Sequence, residues 1–217
     1  MTPWPTLEIT AVLTRVPGPE HRDTLGSRHL LAEVLRMLGR WAEALPIIED
    51  VAAKQSASAE LGPEHPATLS SRHVLAHLLE RLGRSAEALP IIQDVAAKRS
   101  AELGPEHRYI LDSRHLMAQV LDRLGRSAEA LLIIQDVLAK QSASADLGPE
   151  HPGTLRCRSL LAQIFDHVGQ TPKAAIEITR VLSLQKAHPS IGPNHPDTRV
   201  SVERSNAIRP VATEFPS

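Results

Sequence analysis

Histidine and cysteine are the residues whose chemistry asks first for explanation: the 217-residue chain holds eleven histidines and one cysteine. Imidazoles bind metals, and they move protons near neutral pH. His73 and His77 stand four apart, a spacing that puts both rings on one face of a helix, with Glu80 one turn further on and His115 later in the chain. The stretch between the pair is Val-Leu-Ala, so it lacks the glutamate of a His-Glu-x-x-His protease helix. Five other histidines, His21, His65, His107, His151 and His195, recur about 44 residues apart and cannot converge on one ion. His65, His151 and His195 precede proline, which favours extended backbone and a linker role. No metal and no cofactor are expected.

Nucleophilic chemistry is as poorly served. Cys157, the single thiol, excludes an internal disulfide and a cysteine-only metal cage, and it fits a reducing compartment. It stands where neighbouring segments carry serine, so a packing role is expected rather than a nucleophilic one. No Gly-x-Ser-x-Gly elbow, phosphate-binding loop or Gly-x-Gly-x-x-Gly fingerprint occurs. The chain is therefore read as a non-enzyme.

Composition narrows the classes further. Lys and Arg number 24 against 25 Asp and Glu, a net charge of −1 that offers no basic surface to a phosphate backbone. The aromatics are Trp4, Trp41, Tyr109, Phe165 and Phe215, too few for base-stacking platforms. Apolar runs fall far short of the ~20 residues that span a bilayer, and the first 20 residues show no signal peptide. A cytoplasmic, helix-leaning chain with no nucleic-acid or membrane partner is the expectation.

What must position any of these residues is a tandem repeat. Gly-Pro-Glu-His begins at Gly18, Gly62, Gly104 and Gly148, and Gly-Pro-Asn-His at Gly192, at spacings of 44, 42, 44 and 44. Ser-Arg-His follows at Ser27, Ser71 and Ser113 and becomes Cys157-Arg158-Ser159. Gly-Arg recurs at Gly39, Gly83 and Gly125, with Gly169-Gln170 as its fourth form. The Arg28-His29, Arg72-His73 and Arg114-His115 dipeptides thus repeat for structural reasons before catalytic ones.

Within a repeat the apolar period is helical. Val74, Leu75, Leu78, Leu79 and Leu82 form one stripe; Ala88, Leu89, Ile92, Val95 and Ala96 form another. Gly83 ends the first helix, Ser85 is expected to cap the second with Glu87 in its first turn, and Thr171-Pro172 plays that part in the fourth repeat. Pro46 and Pro90 fall inside second helices and predict local kinks, whereas Leu132 and Ile176 hold the same place without one. Neither face of such a hairpin is buried alone. Stacked neighbours bury them, giving an all-α, right-handed solenoid. The predicted organisation is a partial repeat over 1–20, repeats over 21–62, 63–104, 105–148 and 149–192, a degenerate capping helix over 193–208 and a disordered tail over 209–217. Residues 7–16 read like the second helix of a preceding repeat, close to Ile176–Leu182 in pattern, which suggests a trimmed array or a piece of a longer chain.

These residues resemble the tetratricopeptide repeat, in the long form found in kinesin light chains and in many bacterial proteins. The likeness covers about residues 7–208. It rests on Leu75-Ala76, Gly83, Ala88, Ile92 and Val95, on Met117-Ala118, Gly125, Ala130, Ile134 and Val137, and on the linker 61–66 followed by Thr68-Leu69. It implies a scaffold that binds a partner protein or peptide along a concave groove lined by first helices. A sensor module of a larger nucleotide-binding signalling ATPase or transcriptional regulator is the other role implied. Carried over residue by residue, the groove positions are His29, Glu33, Arg36, His73, His77, Glu80, His115, Gln119, Asp122, Ser159, Gln163 and Asp166. Periodicity independently puts each trio on one polar face. Arg81, Arg123 and Arg156 stand beside them as candidate partners for ligand carboxylates. Where peptide-binding members usually hold Asn, before the Leu-Ala pair, this chain has Leu30, Val74, Leu116 and Leu160, so the resemblance implies recognition through His, Gln, Asp and Arg instead, or through another surface. Self-association through terminal helices is a further expectation.

Overall fold

The computed structural model describes residues 18–188 and 192–208, and every regular element among them is an α-helix. In order these are α1 (Arg22–Met37), α2 (Trp41–Ala57), α3 (Pro66–Arg81), α4 (Ser85–Leu103), α5 (Arg108–Arg123), α6 (Ser127–Ala143), α7 (Pro152–His167), α8 (Thr171–Ala187) and α9 (Pro196–Ala207). The expected partial repeat before Gly18 and the tail after Ile208 lie outside the described residues. The chain divides into two compact units, 1–84 and 85–217, with the boundary in the turn between α3 and α4.

In the first unit α2 packs on both α1 and α3, and α1 also touches α3. Leu25, Ala32 and Leu35 of α1, Ile48 and Val51 of α2, and Leu69, Val74, Leu78 and Leu79 of α3 are buried. In the second unit α4 to α9 pack in chain order, and the first helices α5, α7 and α9 touch in sequence. Leu121, Ile134, Val137, Leu160, Ile164, Phe165, Ile178 and Ile208 form its core. Full burial of one such Leu or Ile contributes about 1.5–3 kcal/mol. An exposed ion pair such as Arg40–Glu43 is screened by solvent and contributes little. Apolar stripes, not surface charge pairs, therefore decide which helices stack.

The punctuation has clear local causes. Gly83 takes φ of 78°, so its N–H reaches the Glu80 carbonyl at 3.1 Å while the Arg84 N–H reaches Leu79 at 2.8 Å. This pair of bonds closes the helix end and requires the left-handed conformation that glycine adopts without strain. At the opposite ends the linker histidines act as N-caps. His21, His65, His107, His151 and His195 each accept, through Nδ1, the N–H two residues on. Their repetition is thereby explained: each occupies a helix start whose donors lack intrahelical acceptors.

One local expectation is corrected. Serine and threonine do not cap the second helices. Ser85 and Thr171 are the first helical residues of α4 and α8, and the cap positions of α6 and α8 are Arg126 and Gln170, neither with a side-chain capping bond. The hydroxyls bond backward instead, Ser127 to Asp122 at 2.7 Å and Thr171 to Asp166 at 3.1 Å, because the tight Gly turn brings the preceding helix end within reach. Helices α2 and α4 run unbroken through Pro46 and Pro90. Both prolines are solvent-exposed, as are Leu132 and Ile176 at the same place. On a solvent-facing side the carbonyls can tilt outward, which accommodates the ring.

Replacing His151 by Ala should lower stability by about 1 kcal/mol, the usual worth of an N-cap, whereas His151→Asn should retain most of it. Urea midpoints at unchanged slope check the difference.

Candidate functional site

The Ser-Arg-His motif resolves into three structural bonds that run in different directions. In the first unit His29 Nδ1 lies 2.9 Å from Ser71 Oγ on the next first helix. In the second, His115 Nδ1 lies 3.0 Å from Cys157 Sγ, and Ser159 Oγ lies 3.3 Å from Ser201 Oγ. All three rungs span 42 residues, two fewer than the 44-residue period, because the third motif position of one repeat meets the first of the next. The motif arginine points within its own repeat: Arg28 pairs with Asp50, Arg114 with Asp136, and Arg158 with Glu177 at 3.0 Å. Hydrogen bonds from Lys54 and Arg28 hold the Asp50 carboxyl below its ordinary range, and those from Lys140 and Arg114 do so for Asp136.

One rung has the outline of a catalytic dyad. Cysteine and histidine 3.0 Å apart can generate a thiolate nucleophile. Here burial pushes the Cys157 thiol up to about 12, so it remains S–H and can donate to the imidazole. The equivalent rung in the first unit has Ser71 in its place. Burial likewise lowers the His29 pKa against the pull of Glu33, leaving a neutral ring. This pairing was missed in the sequence; the offset of period minus two was the signal that contained it.

Two turns further on, equivalent positions carry opposite chemistry in the two units. In the second, the buried Asp122 carboxylate accepts from Ser127 Oγ at 2.7 Å and Gln163 Nε2 at 2.8 Å, and meets His167 Nδ1 at 2.8 Å. In the first, the corresponding residues are Arg36, His77 and Arg81. Arg36 donates to Glu33 Oε2 through Nε at 3.2 Å and a terminal nitrogen at 2.8 Å. The Arg81 guanidinium lies 4.3 Å from the Trp41 ring centroid. Burial, then the charges of Arg36 and Arg81, hold His77 down to about 4, and its buried Nδ1 has no hydrogen-bond partner.

The groove positions inferred from resemblance are therefore not equivalent. Glu80, Asp122 and Ser159 are buried. His29, Glu33, Arg36, His73 and His77 in the first unit, and His115, Gln119, Gln163 and Asp166 in the second, are part-exposed. Of these, His29 and His115 form rungs, and Asp166 accepts from Thr171. Arg81, Arg123 and Arg156 are exposed. Val74, Leu116 and Leu160, at the position where peptide-binding relatives carry Asn, are core residues. Among the described residues no group of three His, Cys, Asp or Glu could hold a metal ion, and no helix is long and apolar enough to cross a membrane.

Comparison with known proteins points the same way as the geometry. Tetratricopeptide-repeat profiles match residues 24–67 and 75–141. The crystal structure of kinesin light chain nearly identical TPR-like repeats from Podosopora anserina superposes with a TM-score of 0.67 at 30% identity, covering 87% of each chain. A substituted form of the same repeats gives 0.67 at 28% identity over 89% of this chain and 87% of that one. BtubC (BKLC) from P. vanneervenii shares the fold, with a TM-score of 0.67 at 15% identity over 93% of this chain and 78% of its own. No curated protein matches significantly.

Two measurements test this wiring. A histidine whose pKa falls from 6.5 unfolded to about 4 folded disfavours the folded state as it protonates, so stability should be full above pH 6.5 and decline toward pH 4. His77→Gln should flatten that part of a urea-midpoint profile. Cys157 should resist thiol reagents at pH 8 in the native protein and react at once in denaturant, whereas an activated thiol would be labelled in both.

Proposed function

This chain belongs to the tetratricopeptide-repeat family, in its kinesin-light-chain-like form, and on that premise we propose that it binds a partner protein or peptide through the polar faces of its first helices. Proteins built of these repeats are interaction scaffolds, and this reading gives the chain no catalysis of its own. The observation that carries it is a contrast between neighbouring positions. The rung and ion-pair residues recur almost unchanged from repeat to repeat, yet the part-exposed position four residues after each rung position changes from Glu33 to His77, Gln119 and Gln163. A residue needed only for stacking would recur as the rungs do. Different donors and acceptors at one part-exposed place suit a ligand read residue by residue.

The chemistry favours two distinct contacts. Arg36, His77 and Arg81 suit an acidic segment on the first unit. Gln119 and Arg123 offer amide and guanidinium donors on the second. The near-zero net charge of −1 supports a protein partner rather than a nucleic acid.

A capture experiment from source-cell extract tests this. Wild type runs beside His77→Glu with Arg81→Glu, beside Gln119→Glu with Arg123→Glu, and beside Leu132→Glu with Ile176→Glu as a second-helix control. Circular dichroism confirms that each is folded. A partner lost from the first two variants and kept by the control supports the proposal; one lost only from the control overturns it.

A further inference from the structure

One pair of positions changes together in the first repeat. The penultimate residue of a first helix is Glu80 in α3, Asp122 in α5 and Asp166 in α7, and the second helix after each opens with Ser85, Ser127 or Thr171. In the second unit hydroxyl donates to carboxylate, Ser127 to Asp122 at 2.7 Å and Thr171 to Asp166 at 3.1 Å. In the first repeat Arg36 replaces the carboxylate and Trp41 replaces the hydroxyl. Asp122 gathers its donors from its own fold. The cluster around Arg36 has the opposite sign: Glu33 matches Arg36, while exposed Arg81 has the Trp41 ring, 4.3 Å away, as its described contact. Between these cations His77 is part-exposed, and its buried Nδ1 has no hydrogen-bond partner.

We propose that the partner supplies the anion absent from this cluster, a single carboxylate bound by Arg36 and Arg81, and that its arrival draws a proton from water onto His77. The inference rests on the scaffold reading above and specifies its contact on the first unit. Stacking on Trp41 fixes the plane of the Arg81 guanidinium and leaves its edge N–H groups to pair with both oxygens of a carboxylate.

The proton follows from the charges that surround the ring. Burial, then Arg36 and Arg81, hold His77 down to about 4. On α1, Glu33 is engaged by Arg36. On α2, Glu43, Glu49 and Asp50 are paired with Arg40, Arg84 and Arg28. On α3 itself the remaining titratable neighbours are His73 and the buried Glu80. A carboxylate entering beside the two arginines offsets their charge and favours the imidazolium. With the ordinary value of 6.5 restored in the complex, binding takes up a proton as pH falls through that value, and affinity at pH 5.5 exceeds that at pH 7.5 about tenfold.

A capped tetraglutamate peptide, titrated into the full chain while the His77 ring signals are followed by NMR, is the test. Tetraglycine with a free C-terminal carboxylate and sodium chloride are the comparison arms. Tetraglutamate should shift the His77 signal saturably, raise its titration midpoint by about one pH unit or more, and bind about tenfold tighter at pH 5.5 than at pH 7.5. A response to tetraglycine as well supports the site and adds a chain end as a source of the carboxylate. Arg81→Gln should weaken binding at least about fivefold, and His77→Gln should keep binding but lose most of its pH dependence. Arg36→Asp with Trp41→Ser, which rebuilds the Asp122–Ser127 arrangement, should abolish it. Circular dichroism checks the fold, and Arg81→Gln, at an exposed position, decides if the double variant does not fold. An unmoved His77 signal, an equal response to chloride, or equal affinity at both pH values overturns the proposal. The scaffold reading falls separately, by the capture experiment.

Discussion

A two-helix hairpin of this sequence has apolar stripes on both helices and cannot bury both against itself. Every other feature follows from that constraint. Ile48, Ile92, Ile134 and Ile178 stand at one repeat position and are all but completely buried. Each such side chain is worth about 1.5–3 kcal/mol on burial, so a repeat gains its stability from its neighbours. In a protein whose helices are stable through stacked faces, a first helix with Leu30 and Val34 in water departs from its own internal rule.

Apolar stripes bring helices together but leave their relative sliding loosely specified, since one aliphatic side chain packs nearly as well as another. The polar rungs narrow that freedom. A hydrogen bond between His29 and Ser71 tolerates only a few tenths of an ångström before a buried polar group is left unpaired, at a cost of about 1–3 kcal/mol. Arg28 and Arg114 then tie each first helix to its own second helix. Cys157 shows that shape and a donor are what the rung needs: sulfur replaces oxygen opposite His115, and burial keeps it protonated.

Against this constant frame the variable positions stand out. The same three places hold a closed carboxylate-centred cluster around Asp122 in one unit and Arg36, His77 and Arg81 in the other. Asp122 is largely consumed by its own fold, with three polar side chains around it. His77 is held neutral by burial and neighbouring positive charge, the condition that lets an imidazole offer a neutral hydrogen bond at physiological pH. One scaffold can thus present different chemistry in successive repeats without altering how they stack.

The repeat period, the helical character of each segment and the glycine punctuation were legible in the sequence, because they depend on spacing within some 44 residues and on local backbone preference. Gly83 illustrates this: its positive φ follows from its place at a helix end. The polar side chains were not legible in the same way. Glu80, Asp122 and Ser159 occupy the same polar face as Gln119, yet they are buried and it is part-exposed. Which hydroxyl caps a helix and which bonds backward depended on the turn at Gly125, and which histidine meets which serine depended on two helices lying side by side. A linear pattern assigns each residue to a face of its own helix; what lies opposite that face is decided by the neighbouring helix, and only tertiary packing puts the two at hydrogen-bonding distance.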